Sequence, residues 1–255
     1  MYNLMLVMLL LSAVIIGLSL GLLGAGGSIL TVPALTLFLG MDEKTAVTSS
    51  LIIVGLIALV GALKAFRQRE LDKRLILSFG LVSLPFAALG ARLGLWMPAG
   101  GQTLLLVAVM LIVAFKMLRN KASPAASTAS TFALLAAAAV VGVITGIVGV
   151  GGGFLIVPAL VVFAGVSMRI AIANSLALIV INAITAFLAI SMSNQSPILD
   201  WVIILTMAGV GAIAVLAGQG LASRLPQQLL KRGFALILLG LSIWLIADQI
   251  IMRYM

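Results

Sequence analysis

The chain has 255 residues, of which 64% are hydrophobic and only 8% charged, with a formal net charge of +9. A soluble domain carries about 25% charged residues, so a soluble globular fold is excluded. The sequence has no cysteine and no histidine, which excludes disulfides, thiol chemistry, zinc or haem ligation and histidine proton shuttling.

Apolar segments of membrane length follow one another from end to end. The first, 4–22, has no basic leader and no small-residue cleavage site, and is expected to stay as a span. Segments 28–39, 45–63, 75–95 and 102–118 complete a first half. A small, polar stretch, Arg119–Thr131, reads as a linker. Segments 132–148, 153–165, 170–192, 201–222 and 233–251 form a second half. None shows the ~10-residue alternation of a membrane barrel strand. The expectation is an all-α, polytopic transmembrane protein with a first repeat at 1–118, a linker at 119–131 and a second repeat at 132–255.

The halves are a duplication. With Gly24 set against Gly149, an offset of 125, the residues Gly26, Gly27, Leu30, Val32, Pro33, Ala34, Leu35, Phe38 and Gly40 all meet identical residues. Ala46, Ser50 and Leu51 do the same further on. After a three-residue insertion, "GARLGLWMP" (Gly90–Pro98) matches "GQGLASRLP" (Gly218–Pro226). Chance apolar similarity does not align glycines and prolines as well.

Basic residues give the orientation. Lys64, Arg67, Arg69, Lys73 and Arg74 mark one cytoplasmic loop; Lys116, Arg119 and Lys121 mark the linker; Arg224, Lys231 and Arg232 mark a third. The second-half counterpart of the first loop, Ser191–Asp200, has no Lys or Arg and is placed outside. Matching loops then face opposite sides, so the repeats are expected to be inverted, with both termini outside. An odd number of crossings per half requires this, and five is odd.

Segments 28–39 and 153–165 are short. Twelve residues rise only ~18 Å against a hydrocarbon core of ~30 Å, so they are half-helices or re-entrant helices. Each follows a glycine cluster. An unpaired backbone group in hydrocarbon costs several kcal/mol, so such a break belongs where protein buries it or where it lines a polar cavity. Helix N-termini meeting at breaks present free N–H groups and positive dipole ends to an anion. Gly24, Gly26, Gly27 and Ser28, with Gly149, Gly151, Gly152 and Gly153, are therefore candidate substrate-binding residues. Pro33 and Pro158, one turn inside, are expected to bend the short helices. Isolated glycines serve close helix packing; two clusters at equivalent positions, each opening a short segment, point to binding.

A second polar cluster pairs "TSS" (Thr48–Ser50) with "ANS" (Ala173–Ser175). Ser49, Ser50, Asn174 and Ser175, with Asn182 about two turns on along the same face, can bind an oxyanion without adding a charge. The alternative for this cluster is hydrogen bonding between helices, which is the expected role of Thr185. Arg92 attracts anions at an external mouth or snorkels to the interface. No carboxylate among Asp42, Glu43, Glu70, Asp72, Asp200 and Asp248 is placed at mid-membrane, so a side-chain proton relay is not expected. The glycines do not read as a dinucleotide or phosphate loop, since no strand precedes them and no GK[ST] follows.

"GLLGAGGSILTVPAL", "GIVGVGGGFLIVPAL", "TSSL", "NSLAL", "GARLGLWMP" and "GLASRLP" together resemble the sulfite exporter TauE/SafE family over almost the whole chain. The resemblance implies a bacterial inner-membrane permease for small sulfur-containing anions such as sulfite and short organosulfonates. Gly153 stands where the first half has Ser28, and Asn174 where it has Ser49, so the site is expected to be asymmetric. The expected partners are such an anion, the lipid bilayer and a second copy of the chain as a homodimer, with no nucleic acid, no cofactor and no metal. An anion channel, a transporter of another small solute and an accessory protein without transport are the alternatives. An enzyme lacks its ordinary catalytic groups here.

Overall fold

A computed structural model of the chain describes residues 2–24, 27–94, 96, 99–119, 131–148, 153–191 and 199–254. The described regular structure is helical: α1 (Tyr2–Leu23), α2 (Gly27–Leu39), α3 (Glu43–Arg67), α4 (Lys73–Gly94), α5 (Ala99–Arg119), α6 (Thr131–Val148), α7 (Gly153–Phe163), α8 (Met168–Ser191), α9 (Trp201–Arg224) and α10 (Gln227–Tyr254). A helix stands at each of the ten apolar segments. Five of them, α3, α4, α8, α9 and α10, are long and apolar enough to cross a membrane among the described residues. Their outward residues are apolar: Leu81 is 70% and Ile213 74% exposed, which suits acyl chains and not water. The chain is a multi-pass membrane protein.

Several helices outrun their apolar segments at the polar ends. α3 continues to Arg67, which puts Lys64 and Arg67 in its last turn, where cations favour the negative end of the helix dipole. The N-terminus of α3 is capped by Asp42, which accepts from the Thr45 N–H at 3.1 Å. α10 starts at Gln227, immediately after Pro226, because Gln-Gln-Leu-Leu-Lys-Arg is a good helix former although it is polar.

The chain divides into two compact units. The first contains Met1–Leu77, Val150–Val157 and Arg169–Arg224; the second contains Ser78–Gly149, Pro158–Met168 and Leu225–Met255. Each draws on both halves of the sequence.

In the first unit α1 and α9 run parallel in very close contact. A Cβ at Gly17 would lie 2.3 Å from the Gly211 carbonyl oxygen, and one at Gly21 would lie 2.3 Å from that of Val215. α3 packs on α9 in the same direction, with Ile57 against Gly211 and Gly61 against Val215 and Gln219. α8 runs antiparallel to α3: Gly55 meets Ala183, and Gly61 meets Leu176. Gly21 and Lys64 line one cavity, so the C-terminal ends of α1 and α3 lie together. α3 rises about 37 Å, and α2 must reach its far end through residues 40–42. α2 begins beside α1, with Gly27 against Leu20. It therefore doubles back along α1.

In the second unit α5 packs on α10, and α4 packs on α6. A Cβ at Gly142 would lie 2.5 Å from the Ser83 carbonyl oxygen, and one at Gly90 would lie 2.2 Å from that of Val143. The Lys116 ammonium sits 5.4 Å from the centre of the Phe163 ring.

α2 and α7 end alike. Gly40 has φ +64° and Gly165 φ +65°, the left-handed conformation that favours glycine at a helix end. Met41 N–H reaches the Leu35 carbonyl at 3.3 Å, and Val166 N–H reaches that of Leu160 at 3.4 Å. All three pairs are related by the offset of 125 residues.

Candidate functional site

The first glycine cluster ends α1. Gly24 N–H closes the last turn on the Leu20 carbonyl at 2.8 Å. Gly24 itself has φ +64°. A Cβ there would lie 2.5 Å from Ser175 Oγ and 2.8 Å from Ile172 Cα. Both the conformation and the close approach of α8 demand glycine. The Ser175 hydroxyl shares its proton between the carbonyls of Gly24 and Ile172, each at 2.8 Å. It thereby satisfies a carbonyl that the end of α1 leaves without a helical partner.

Gly27 opens α2, where Thr31 Oγ1 donates to its carbonyl. Ser28 follows within the same turn, and Pro33 lies inside α2 as Pro158 lies inside α7. Gly153 is the buried first residue of α7. Gly26, Gly149, Gly151 and Gly152 lie outside the described residues.

The second polar cluster splits into engaged and free groups. Asn174 is buried, and its amide is engaged. Oδ1 accepts from Asp72 N–H at 2.9 Å; Nδ2 donates to the carbonyls of Ile170 at 2.7 Å and Glu70 at 3.4 Å. Asn174 thus ties the α3–α4 turn to the start of α8. Ser50 Oγ donates to the Val47 carbonyl of its own helix at 2.7 Å. Ser49 is 0% exposed, and its Oγ has no hydrogen-bond partner among the described residues. Asn182 is half-buried on α8. Thr185 is exposed and bonds back to the Ile181 carbonyl at 2.8 Å. Arg92 is exposed in the last turn of α4.

One cluster was not singled out from the sequence. In the first unit a cavity of about 120 Å³ is lined by Gly21, Lys64, Gln68, Glu70, Arg169, Gln219 and Ser223, among others. Arg169 Nε stands 3.4 Å from Glu70 Oε1, and the two side chains are 52% and 29% exposed. Lys64 Nζ donates to the Leu216 carbonyl at 3.1 Å, and Gln219 Nε2 to that of Gly61 at 3.0 Å. Ile172, whose Cα touches Gly24, lines the same cavity. The signal in the sequence was Glu70, an acid within a run of basic residues, and the polar Gln219 between two glycines of an apolar segment.

A family model described as sulfite exporter TauE/SafE matches residues 9–245. Two relatives in Xylella fastidiosa, from strains Temecula1 and 9a5c, are each named "Probable membrane transporter protein". Each is 31% identical over 245 residues, covering 91% of this chain and 91% of the relative. No solved structure matches the chain.

Proposed function

Because this chain belongs to the sulfite exporter TauE/SafE family, we propose that it is a permease for small sulfur-containing anions, sulfite or a short organosulfonate, working by alternating access around its two glycine-rich breaks. The anion is held by the N-terminal amides of α2 and α7, at Gly26, Gly27 and Ser28 and at Gly151, Gly152 and Gly153. Hydroxyl and amide groups of the second cluster complete the site. Gly24 lets a neighbouring helix approach, and Ser175 and Asn174 hold the elements that carry the site.

The observation that carries the proposal is Ser49, on α3 about 18 Å of helix from the level of the Gly24 break. A buried hydroxyl without a partner costs about 1–3 kcal/mol, and an oxyanion is the acceptor that would satisfy it. The inverted arrangement of the repeats is supported by the antiparallel course of the equivalent helices α3 and α8. The basic end of the first unit, with Lys64, Arg169 and Arg224, faces the cytoplasm of a bacterial inner membrane, and both termini face out.

Flux in proteoliposomes tests this reading. Wild type is expected to show saturable, counterflow-competent sulfite movement, and Ser49→Ala to lose most of it while remaining folded. Undiminished flux in Ser49→Ala would remove Ser49 from the site. No sulfite or sulfonate flux through folded wild type would remove the substrate class.

A further inference from the structure

The cavity between Lys64 and Arg169 lies outside the site just proposed and has its own chemistry. Its cations come from two helices, Lys64 from the last turn of α3 and Arg169 from the first turn of α8. Glu70 arrives from the turn between α3 and α4. That turn is firmly built: Arg69 takes φ 57°, Glu70 N–H returns to the Ala65 carbonyl at 3.0 Å, and Asn174 fixes the backbone of Glu70 and Asp72. The result is an acid directed at Arg169 across the cavity wall.

The grip of that acid is weak. Arg169 Nε stays 3.4 Å from the Glu70 carboxylate oxygen Oε1, and Arg169 is half exposed. Solvent and salt screen such a pair strongly. A planar guanidinium favours two short parallel bonds to an oxyanion, and 3.4 Å is long for a charge-assisted bond. At roughly 10–15 Å³ of such space per water, about 120 Å³ has room for a small hydrated oxyanion.

We propose that this cavity binds a small oxyanion, for which Glu70 is the resident competitor: the anion takes Arg169 from the Glu70 carboxylate, with Lys64 as its second cation. Binding there concentrates the anion beside Ile172 and the end of α1, next to the break at Gly24. The inference rests on the transport reading for its biological use, and on the cavity alone for its chemistry.

The test is equilibrium binding of sulfite to the full-length protein in detergent, in a low-salt buffer without other oxyanions. Glu70→Gln frees Arg169 and is expected to tighten binding about three- to ten-fold. Arg169→Gln and Lys64→Gln are expected to weaken it at least ten-fold, and Arg169→Lys to restore part of the loss. Opposite signs for Glu70→Gln and Arg169→Gln are the decisive feature, because a merely structural ion pair loses the same contact in both and moves both the same way. Changes of equal sign, or sulfite binding equal in all four variants and wild type, would overturn the proposal. Opposite shifts without any flux in proteoliposomes would keep the cavity site and remove the transport reading. Saturable flux lost in Ser49→Ala, with unchanged binding in the cavity variants, would do the reverse.

Discussion

The glycine-packed pairs α1·α9 and α4·α6 are one contact built twice from different residues. Gly17 meets Gly211 and Ala214 in the first unit; at the repeat offsets, Gly142 meets Ser83 and Phe86 in the second. Gly218 against Leu18 returns as Gly90 against Val143. Each time a Cα without a Cβ is pressed on a backbone carbonyl. At the Gly17–Gly211 contact both residues are glycine, whereas its counterpart sets Gly142 against Ser83. One glycine per crossing therefore suffices, provided it is the one that faces the carbonyl. In lipid, where apolar surface gains nothing by leaving its surroundings, this closeness of backbones is what holds helices together.

The largest effect is expected where two demands coincide. Gly24→Ala meets a left-handed φ, an oxygen at 2.5 Å and a backbone atom at 2.8 Å. It should abolish flux and lower the melting temperature by on the order of 10 °C. Gly27→Ala should cost less stability than Gly24→Ala, about 1–3 kcal/mol, since the three nearest atoms belong to the buried Leu20 side chain and not to backbone. A tolerated Gly24→Ala would break the account of this helix end.

Next come the paired crossings. Gly17→Val and Gly142→Val should each destabilise by about 1–3 kcal/mol in chemical unfolding. A harmless Gly142→Val would show that the second pair is a looser contact than the first.

The equivalents Ser49 and Asn174 sharpen the comparison of the halves further, because they should move stability in opposite directions. Asn174→Ala frees the α3–α4 turn and leaves buried groups unmatched, at about 1–3 kcal/mol. Ser49→Ala removes an orphan hydroxyl and should raise stability by about 1 kcal/mol. A loss of stability in Ser49→Ala would mean that the hydroxyl has a partner and is not held for a ligand. The smallest difference is between Ser175→Ala and Ser50→Ala. The first loses a bond to another helix, worth about 0.6 kcal/mol in membranes. The second loses a bond within its own helix and should be close to neutral in the same unfolding assay.

Much of the fold was legible beforehand, because in a membrane protein apolar length and glycine-proline punctuation act locally. Ten segments became ten helices, and the short ones at 28–39 and 153–165 became α2 and α7 with ends close to those read. Helix ends were less legible. Lys64 and Arg67 extend α3, and Gln227 opens α10, since a helix continues into water while its apolar face does not. The site was legible in part. Gly24 stands where a break was expected, at the end of α1, whereas the engagement of Ser175 and Asn174 with backbone could not be read, because both partners lie far away in sequence. The charged cavity escaped for the same reason: Glu70 and Arg169 are ninety-nine positions apart.

The sequence by itself determined a helical membrane protein, a glycine-proline pattern that returns at a fixed offset, and the family, because each is carried by residues that are neighbours in the chain or by that offset. The tertiary structure decided which glycines press on carbonyls, which polar side chains are already engaged, and that Ser49 has no partner among the described residues while Arg169 stands beside Glu70. Those outcomes depend on where helices from opposite halves meet, and no local periodicity encodes a contact between residues so far apart.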